Sequence, residues 1–221
     1  KAPALVLSSG GLHSLVTAGL GNREFRIGML FVKDGRATER QALAAFERQA
    51  AHLRPMKTWI VDGGFLRQMS LPPETAGLVN STNSDAQAGL LPLRELTYLT
   101  LAAGFARQVH ASTILWGVQC DPKQTDAMAR YIELVQVANQ LLELLSPDMP
   151  LMIKTPLMGL EDQQVIELGY QMALPFQASW TCQMAMENPC MRCPACTLRT
   201  RGFRAAQLLD PDGRRQIHHV V

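Results

Sequence analysis

Four cysteines near the C-terminal end, Cys182, Cys190, Cys193 and Cys196, follow the spacing C-x7-C-x2-C-x2-C, close enough for four thiolates to converge on one tetrahedral metal ion. Zinc is the favoured occupant, because the first ligand comes from upstream and no other iron–sulfur context accompanies the motif. An iron–sulfur cluster is the alternative, since C-x2-C-x2-C also opens ferredoxin-like motifs. A disulfide framework fits a reducing compartment poorly. Four protein ligands leave no open coordination position, so a metal here is structural and staples the last segment onto the fold. Cys120 stands apart and reads as a small buried hydrophobe, with a reactive thiol as the other reading.

The second chemical feature is the run Ser8-Ser9-Gly10-Gly11-Leu12-His13-Ser14, between an apolar segment and a helical pattern. Glycines let the backbone pass close to a ligand while hydroxyls and the first helical N–H groups face it. Those N–H groups lack intrahelical partners and sit at the positive end of the helix dipole, which favours phosphate or pyrophosphate. Neither G-x-x-x-x-G-K-[ST] nor G-x-G-x-x-G occurs, so any nucleotide chemistry belongs to a different family.

Elements must place these residues. Short runs rich in β-formers recur at 4–7, 27–32, 58–61, 113–118 and 151–155, with helical patterns at 14–20, 38–53, 92–109, 125–145 and 161–170. The alternation predicts an α/β fold, a Rossmann-like parallel sheet flanked by helices, whose ligands bind at the carboxyl ends of the strands. In 92–109, Leu93, Leu96, Leu99, Leu101, Ala102, Phe105 and Val109 mark a broad apolar face behind Pro92, which predicts a mostly buried helix. Residues 70–89 and 120–125 read as loops; the former is long enough for a substrate-binding or lid segment, with disorder as the alternative. From Ser179 onward cysteine, proline and basic residues replace the alternation, which divides the chain into a nucleotide-binding domain at 1–178 and a zinc-binding segment at 179–221.

Composition limits the function classes. The 221 residues are 47% hydrophobic and 18% charged, as in a globular protein, and no apolar run approaches the roughly 18 residues of a membrane span. The first residues do not fit a secretory signal, so the expected location is cytoplasmic. A net charge of +2 gives no strong nucleic-acid signal. The one basic cluster, Arg199, Arg201 and Arg204, reads either as a solvated helix face or as a phosphate or RNA contact.

Ser9 to Ser14 resembles the SGGxDS signature of the PP-loop ATP pyrophosphatases, with His13 where that family has aspartate. Ser179-Trp180-Thr181-Cys182, followed by Pro189-Cys190, Cys193-Pro194, Cys196 and Arg199, resembles the zinc-binding tail of the 7-cyano-7-deazaguanine synthases (QueC). Leu91-Pro92-Leu93-Arg94 is similar to their VPxRN helix opening, and Trp116-Gly117-Val118 to the strand before their substrate loop. Thr155-Pro156-Leu157 with 165–169 is similar to their PL segment, so the resemblance spans nearly the whole chain.

The resemblance implies an adenine nucleotide alpha hydrolase-like fold, a place in queuosine biosynthesis, and ATP, Mg2+ and Zn2+ as cofactors. It implies a ligase that activates a 7-deazapurine carboxylate by adenylation and passes it to ammonia or another amine, and a homodimer as its assembly. Ser9, Ser14, Arg94 and Asp126 would act in catalysis; Ser8, Ser9, Gly10, Gly11, Leu12, His13, Ser14, Arg94 and Gly117 would bind nucleotide; the four clustered cysteines would bind zinc. Trp180 would anchor the zinc segment or pack on the substrate ring. Three positions depart from the pattern. His13 replaces a carboxylate suited to magnesium pyrophosphate. Met128 stands where the YPDCR motif has arginine, with Thr125-Asp126 in place of Pro-Asp, and the family lysine is missing from the region of Asp162, Gln163 and Gln164. A diverged member is therefore expected, with transfer to a peptide or protein amine, or a nucleotide-binding module without turnover, as alternatives.

Overall fold

Five runs of β-forming residues pair side by side in a computed structural model of the chain, which describes residues 1–69 and 94–213. They are β1 (Pro3–Leu7), β2 (Arg26–Lys33), β3 (Lys57–Asp62), β4 (Thr113–Trp116) and β5 (Met152–Lys154). Their order is β3-β2-β1-β4-β5, and every neighbouring pair is parallel. Helices cover both faces: α1 (Leu12–Glu24), α2 (Glu39–Leu53), α3 (Arg94–Gln108), α4 (Thr125–Leu145), α5 (Asp162–Gln171) and α6 (Pro194–Ala205). Short 3-10 turns occupy Gly64–Met69 and Phe176–Ala178.

The two-residue period of a strand divides the core into two layers. Val6 of central β1 points into a layer with Leu15, Phe46, Val165 and Ile166, from α1, α2 and α5. Leu5 and Leu7 point the other way, into a layer with Leu99, Ala102 and Ala106 of α3 and Ala138 of α4. Leu7 pairs with Leu30 of β2 on one side and Trp116 of β4 on the other, so Ser8 and Gly117 leave adjacent strands side by side. The strand order reverses between β1 and β4, and a crevice opens there above the carboxyl ends, the place where open α/β sheets bind ligands.

The expected α/β architecture is the observed one, with shifted limits. Strand β4 ends at Trp116 and not at residue 118, and Gly117, the next residue, packs closely against His13 and Thr17 of α1. Helix α1 runs longer than 14–20, and α6 is an additional element after the cysteines. The expected loop at 70–89 and the first residues of the helix at 92–109 lie outside the described residues. The remainder of that helix buries Leu99, Ala102, Ala103 and Ala106, whereas Leu96 faces out.

The C-terminal segment joins the main core. Phe203 of α6 is 2% exposed and meets Phe176 edge-on, with ring centroids 5.1 Å apart. Burial of such a ring stabilises by about 2–3 kcal/mol. Arg199 corrects the reading of its cluster as a solvated face, for it is buried while Arg201 and Arg204 remain exposed. Its guanidinium donates to Asp210 at 2.9–3.1 Å and to Ser179 Oγ at 2.8 Å, and pairs with Asp212 at 3.2 Å. Two carboxylates and several acceptors satisfy the charge, as a buried guanidinium requires.

Candidate active site

The loop after β1 is shaped by one glycine. Gly10 has φ +74°, in the left-handed region, and a Cβ there would lie 2.1 Å from the Ala42 carbonyl oxygen of α2. Only glycine permits both the conformation and the approach. The Gly10 carbonyl accepts from the Trp180 backbone N–H and from Gln49 Nε2, each at 2.9 Å. Gln49 is fully buried and also donates to the Gly11 and Ala178 carbonyls at 3.3 Å. The loop, α2 and the segment leading to the cysteines are thus tied at one point. Sequence reasoning missed Gln49, although a signal exists: it is the polar member of the buried face Ala42, Ala45, Phe46, Gln49 and Leu53.

Ser9 and Ser14 come together, with Oγ atoms 2.9 Å apart and the Ser9 N–H donating to Ser14 Oγ at 3.0 Å. Helix α1 begins after Gly11 with no side-chain cap on its first N–H groups. Glycine-shaped backbone, two hydroxyls and an uncapped helix start fit a phosphate group. Gly117 closes the approach from β4, where a Cβ would meet Thr17 Oγ1 at 2.9 Å and the His13 carbonyl at 3.2 Å.

Two clefts share Ser9, Ser14 and Gly117 as a common wall. The first, about 250 Å³, is also lined by Ser8, Arg36, Arg94, Tyr98, Trp116 and Tyr131. Here Asp34, 2% exposed at the end of β2, lies 2.6 Å from Arg36 Nε and accepts from the Tyr98 hydroxyl at 2.7 Å. Burial alone would raise the Asp34 carboxyl, but the Arg36 charge and the hydrogen bonds from Tyr98 and Arg36 outweigh it and hold the carboxyl below its usual range. Burial and the Asp34 charge push the Tyr98 hydroxyl up. The second cleft, about 420 Å³, includes Leu12, His13, Gln119, Asp121, Asp162, Trp180 and Arg201. His13 Nε2 lies 3.6 Å from Asp162 Oδ1 at the start of α5.

Of the residues singled out in the sequence, Ser8, Ser9, Ser14, Arg94 and Gly117 line the first cleft, and Ser9, Gly11, Leu12, His13, Ser14 and Gly117 the second. Gly10 shapes the loop from beneath. Asp126 is exposed on the first turn of α4 and lines neither cleft. Met128 is half-buried two residues further on. Cys120 is 5% exposed, and burial pushes its thiol up, in line with a packing role.

Behind the second cleft the four clustered cysteines meet, with all four sulfurs within 4.8 Å of one another. A tetrahedron with metal–sulfur bonds of about 2.3 Å has sulfur–sulfur edges of about 3.8 Å, so the set fits zinc. Backbone N–H groups of Met184 and Cys190 donate to Cys182 Sγ at 3.4 and 3.3 Å, and that of Cys193 to Cys190 Sγ at 3.3 Å. The Arg192 N–H, against some burial, brings the Cys190 thiol down to about 6, which favours a thiolate ligand. Burial pushes Cys182 and Cys196 up. Trp180 packs with these cysteines and Ala45, donates its indole N–H to the Cys182 carbonyl at 2.9 Å, and shows one face to the cleft. No helix among the described residues is long and apolar enough to cross a membrane.

The family model described as "Queuosine biosynthesis protein QueC" matches residues 3–207. A 7-cyano-7-deazaguanine synthase from Nitratiruptor sp. is 26% identical over 216 residues, covering 94% of this chain and 96% of that protein. A second, from Chlorobium phaeobacteroides, is 26% identical over 215 residues, covering 94% and 95%. Among solved structures, NMN synthetase from Francisella tularensis aligns over 97% of this chain and 82% of that chain, with 12% identity and a TM-score of 0.44.

Proposed function

The chain belongs to the QueC family of queuosine biosynthesis proteins, and from that premise we propose that it is an ATP-dependent C–N ligase acting on a 7-deazapurine carboxylate, as in conversion of 7-carboxy-7-deazaguanine to 7-cyano-7-deazaguanine. The observation that carries the reading is the loop from Ser8 to Ser14, wrapped on an uncapped helix start between two clefts. In this reading Ser9, Gly10, Gly11 and Ser14 hold pyrophosphate, while Arg94 contacts phosphate or the acid. In the same reading residues 1–178 are the nucleotide-binding unit and 179–221 the zinc-binding segment, whose described residues end at 213.

The chemistry follows from what a carboxylate lacks, a leaving group. Its oxygen attacks the α-phosphorus of ATP, the bond to pyrophosphate breaks, and the loop stabilises the charge that collects on the departing group. Ammonia then attacks the acyl carbon and loses a proton as AMP leaves with the C–O bonding pair, giving the amide. A second ATP activates the amide oxygen in the same way, and loss of AMP together with both amide protons leaves the nitrile. Magnesium would accompany the ATP phosphates and neutralise part of their charge. Zinc, bound by the four cysteines, would hold Trp180 and the Gly10 contact in place and take no part in bond making.

A second reading is favoured by one contact. His13 and Asp162 stand against each other where the family pattern has an aspartate and, nearby, a lysine. That exchange supports a diverged acceptor, a peptide or protein amine in place of ammonia. The test is a mass-spectrometric assay of the purified protein with ATP, magnesium, 7-carboxy-7-deazaguanine and ammonium. Nitrile with AMP supports the first reading; AMP without nitrile, turning to amide on addition of a peptide amine, supports the second. Neither AMP nor acyl product contradicts both and leaves a nucleotide-binding module.

A further inference from the structure

We propose that Arg36, braced by Asp34 and Tyr98, is the phosphate-binding cation that faces the Ser8–Ser14 loop across the first cleft, and that it contacts the phosphoryl group of ATP under attack. This rests on the reading of the loop as a nucleotide site and adds to it a residue that the motifs do not contain. Arg36 follows β2 directly, and the cleft it lines also holds Ser8, Ser9, Ser14 and Arg94. Its side chain is 35% exposed, whereas the Asp34 it rests on is 2% exposed. A buried carboxylate is costly unless paired, so Asp34 needs this contact and the Tyr98 hydroxyl.

The brace has a directional consequence. Asp34 Oδ2 pairs with Nε at 2.6 Å, Asp34 Oδ1 accepts the Arg36 backbone N–H at 3.2 Å, and the Tyr98 hydroxyl of α3 donates to Asp34 Oδ2 at 2.7 Å. With Nε paired to Asp34, no described residue bonds the other guanidinium donors, which leaves them to an anion in the cleft with their position set before the ligand arrives. Preorganisation of this kind matters most where charge develops in the transition state. It also accounts for a chain that lacks arginine at Met128: charge stabilisation comes from the end of β2 and not from the start of α4. Asp34 and Tyr98 are positioning residues, with no contact to ligand required of either.

The experiment compares the purified full chain with R36Q, R36K, D34N and, as a control at an exposed arginine, R40Q. Calorimetry measures affinity for a non-hydrolysable methylene analogue of ATP, and AMP release is followed with the acid substrate and ammonium. R36Q should lower kcat about 100-fold, as loss of one preorganised donor does, and weaken the analogue about tenfold. R36K should recover part of the affinity but little of kcat, since a lysine cannot fill a fork geometry. D34N should lower kcat about tenfold with KM within about twofold, a split that a merely structural defect would not produce. R40Q should match the wild type. R36Q within twofold of wild type in both readouts would overturn the assignment. A wild-type chain that neither binds the analogue nor releases AMP would instead sink the proposed function and this inference with it.

Discussion

Replacing Gly10 with alanine tests the architecture of the nucleotide loop at its tightest point. The residue sits at φ +74°, and an added Cβ would be 2.1 Å from the Ala42 carbonyl oxygen and 3.2 Å from the Phe46 amide nitrogen. Both obstacles are backbone atoms of α2, so no rotamer change relieves them. The left-handed conformation alone costs alanine about 1–2 kcal/mol. Moving the loop away stretches the bonds from Trp180 and Gln49 to the Gly10 carbonyl, each 2.9 Å and each contributing about 1 kcal/mol. The expected loss is about 3–4 kcal/mol, a large share of the 5–15 kcal/mol typical of a domain. Gly11 is the internal control. Its φ is −77°, and a Cβ would meet Ser9 Oγ at 3.2 Å, a side chain that can turn aside. Urea unfolding of both variants provides the comparison, with Gly11→Ala expected to cost no more than about 1 kcal/mol. If Gly10→Ala unfolds within about 0.5 kcal/mol of wild type, or no earlier than Gly11→Ala, the loop is not held as described.

Other expectations concern the braces around the loop. Arg199→Met should destabilise by about 3–5 kcal/mol in denaturant titrations, because it takes the guanidinium away from the buried Asp210 carboxylate that it now pairs. Chelation should remove one colourless zinc per chain and lower the thermal midpoint, and Cys193→Ser should purify with less metal; visible absorption with bound iron would favour a cluster instead. Asp34 has a depressed folded pKa, so its contribution is complete above the unfolded value of about 3.9 and fades as pH falls through the folded value. Unfolding titrations should accordingly show Asp34→Asn less stable than wild type at neutral pH, with the gap closing below about pH 4.

The periodicity of apolar residues was sufficient to read the sheet and the flanking helices, because β1 and β2 are buried on both sides and appear as continuous hydrophobic runs. The four cysteines were legible for a different reason: metal ligation constrains spacing, and they do converge. Pairings that join distant segments left no local pattern. Gln49 meets Ala178 across 129 residues, and Tyr98 meets Asp34 across 64. Arg199 looked like one member of a surface cluster because its partners, Asp210 and Asp212, lie beyond the helix that carries it. The contact between His13 and Asp162 likewise joins two helix starts that only the fold brings together.

The central claim is that the acid is activated at the loop by attack of its own oxygen on the α-phosphorus of ATP. Incubating the protein with ATP, magnesium, ammonium and 7-carboxy-7-deazaguanine labelled with heavy oxygen in the carboxylate, then weighing the AMP by mass spectrometry, tests it directly. AMP carrying one labelled oxygen from the acid is the expected result, whereas unlabelled AMP, or ADP with labelled phosphate, would contradict adenylation at this site.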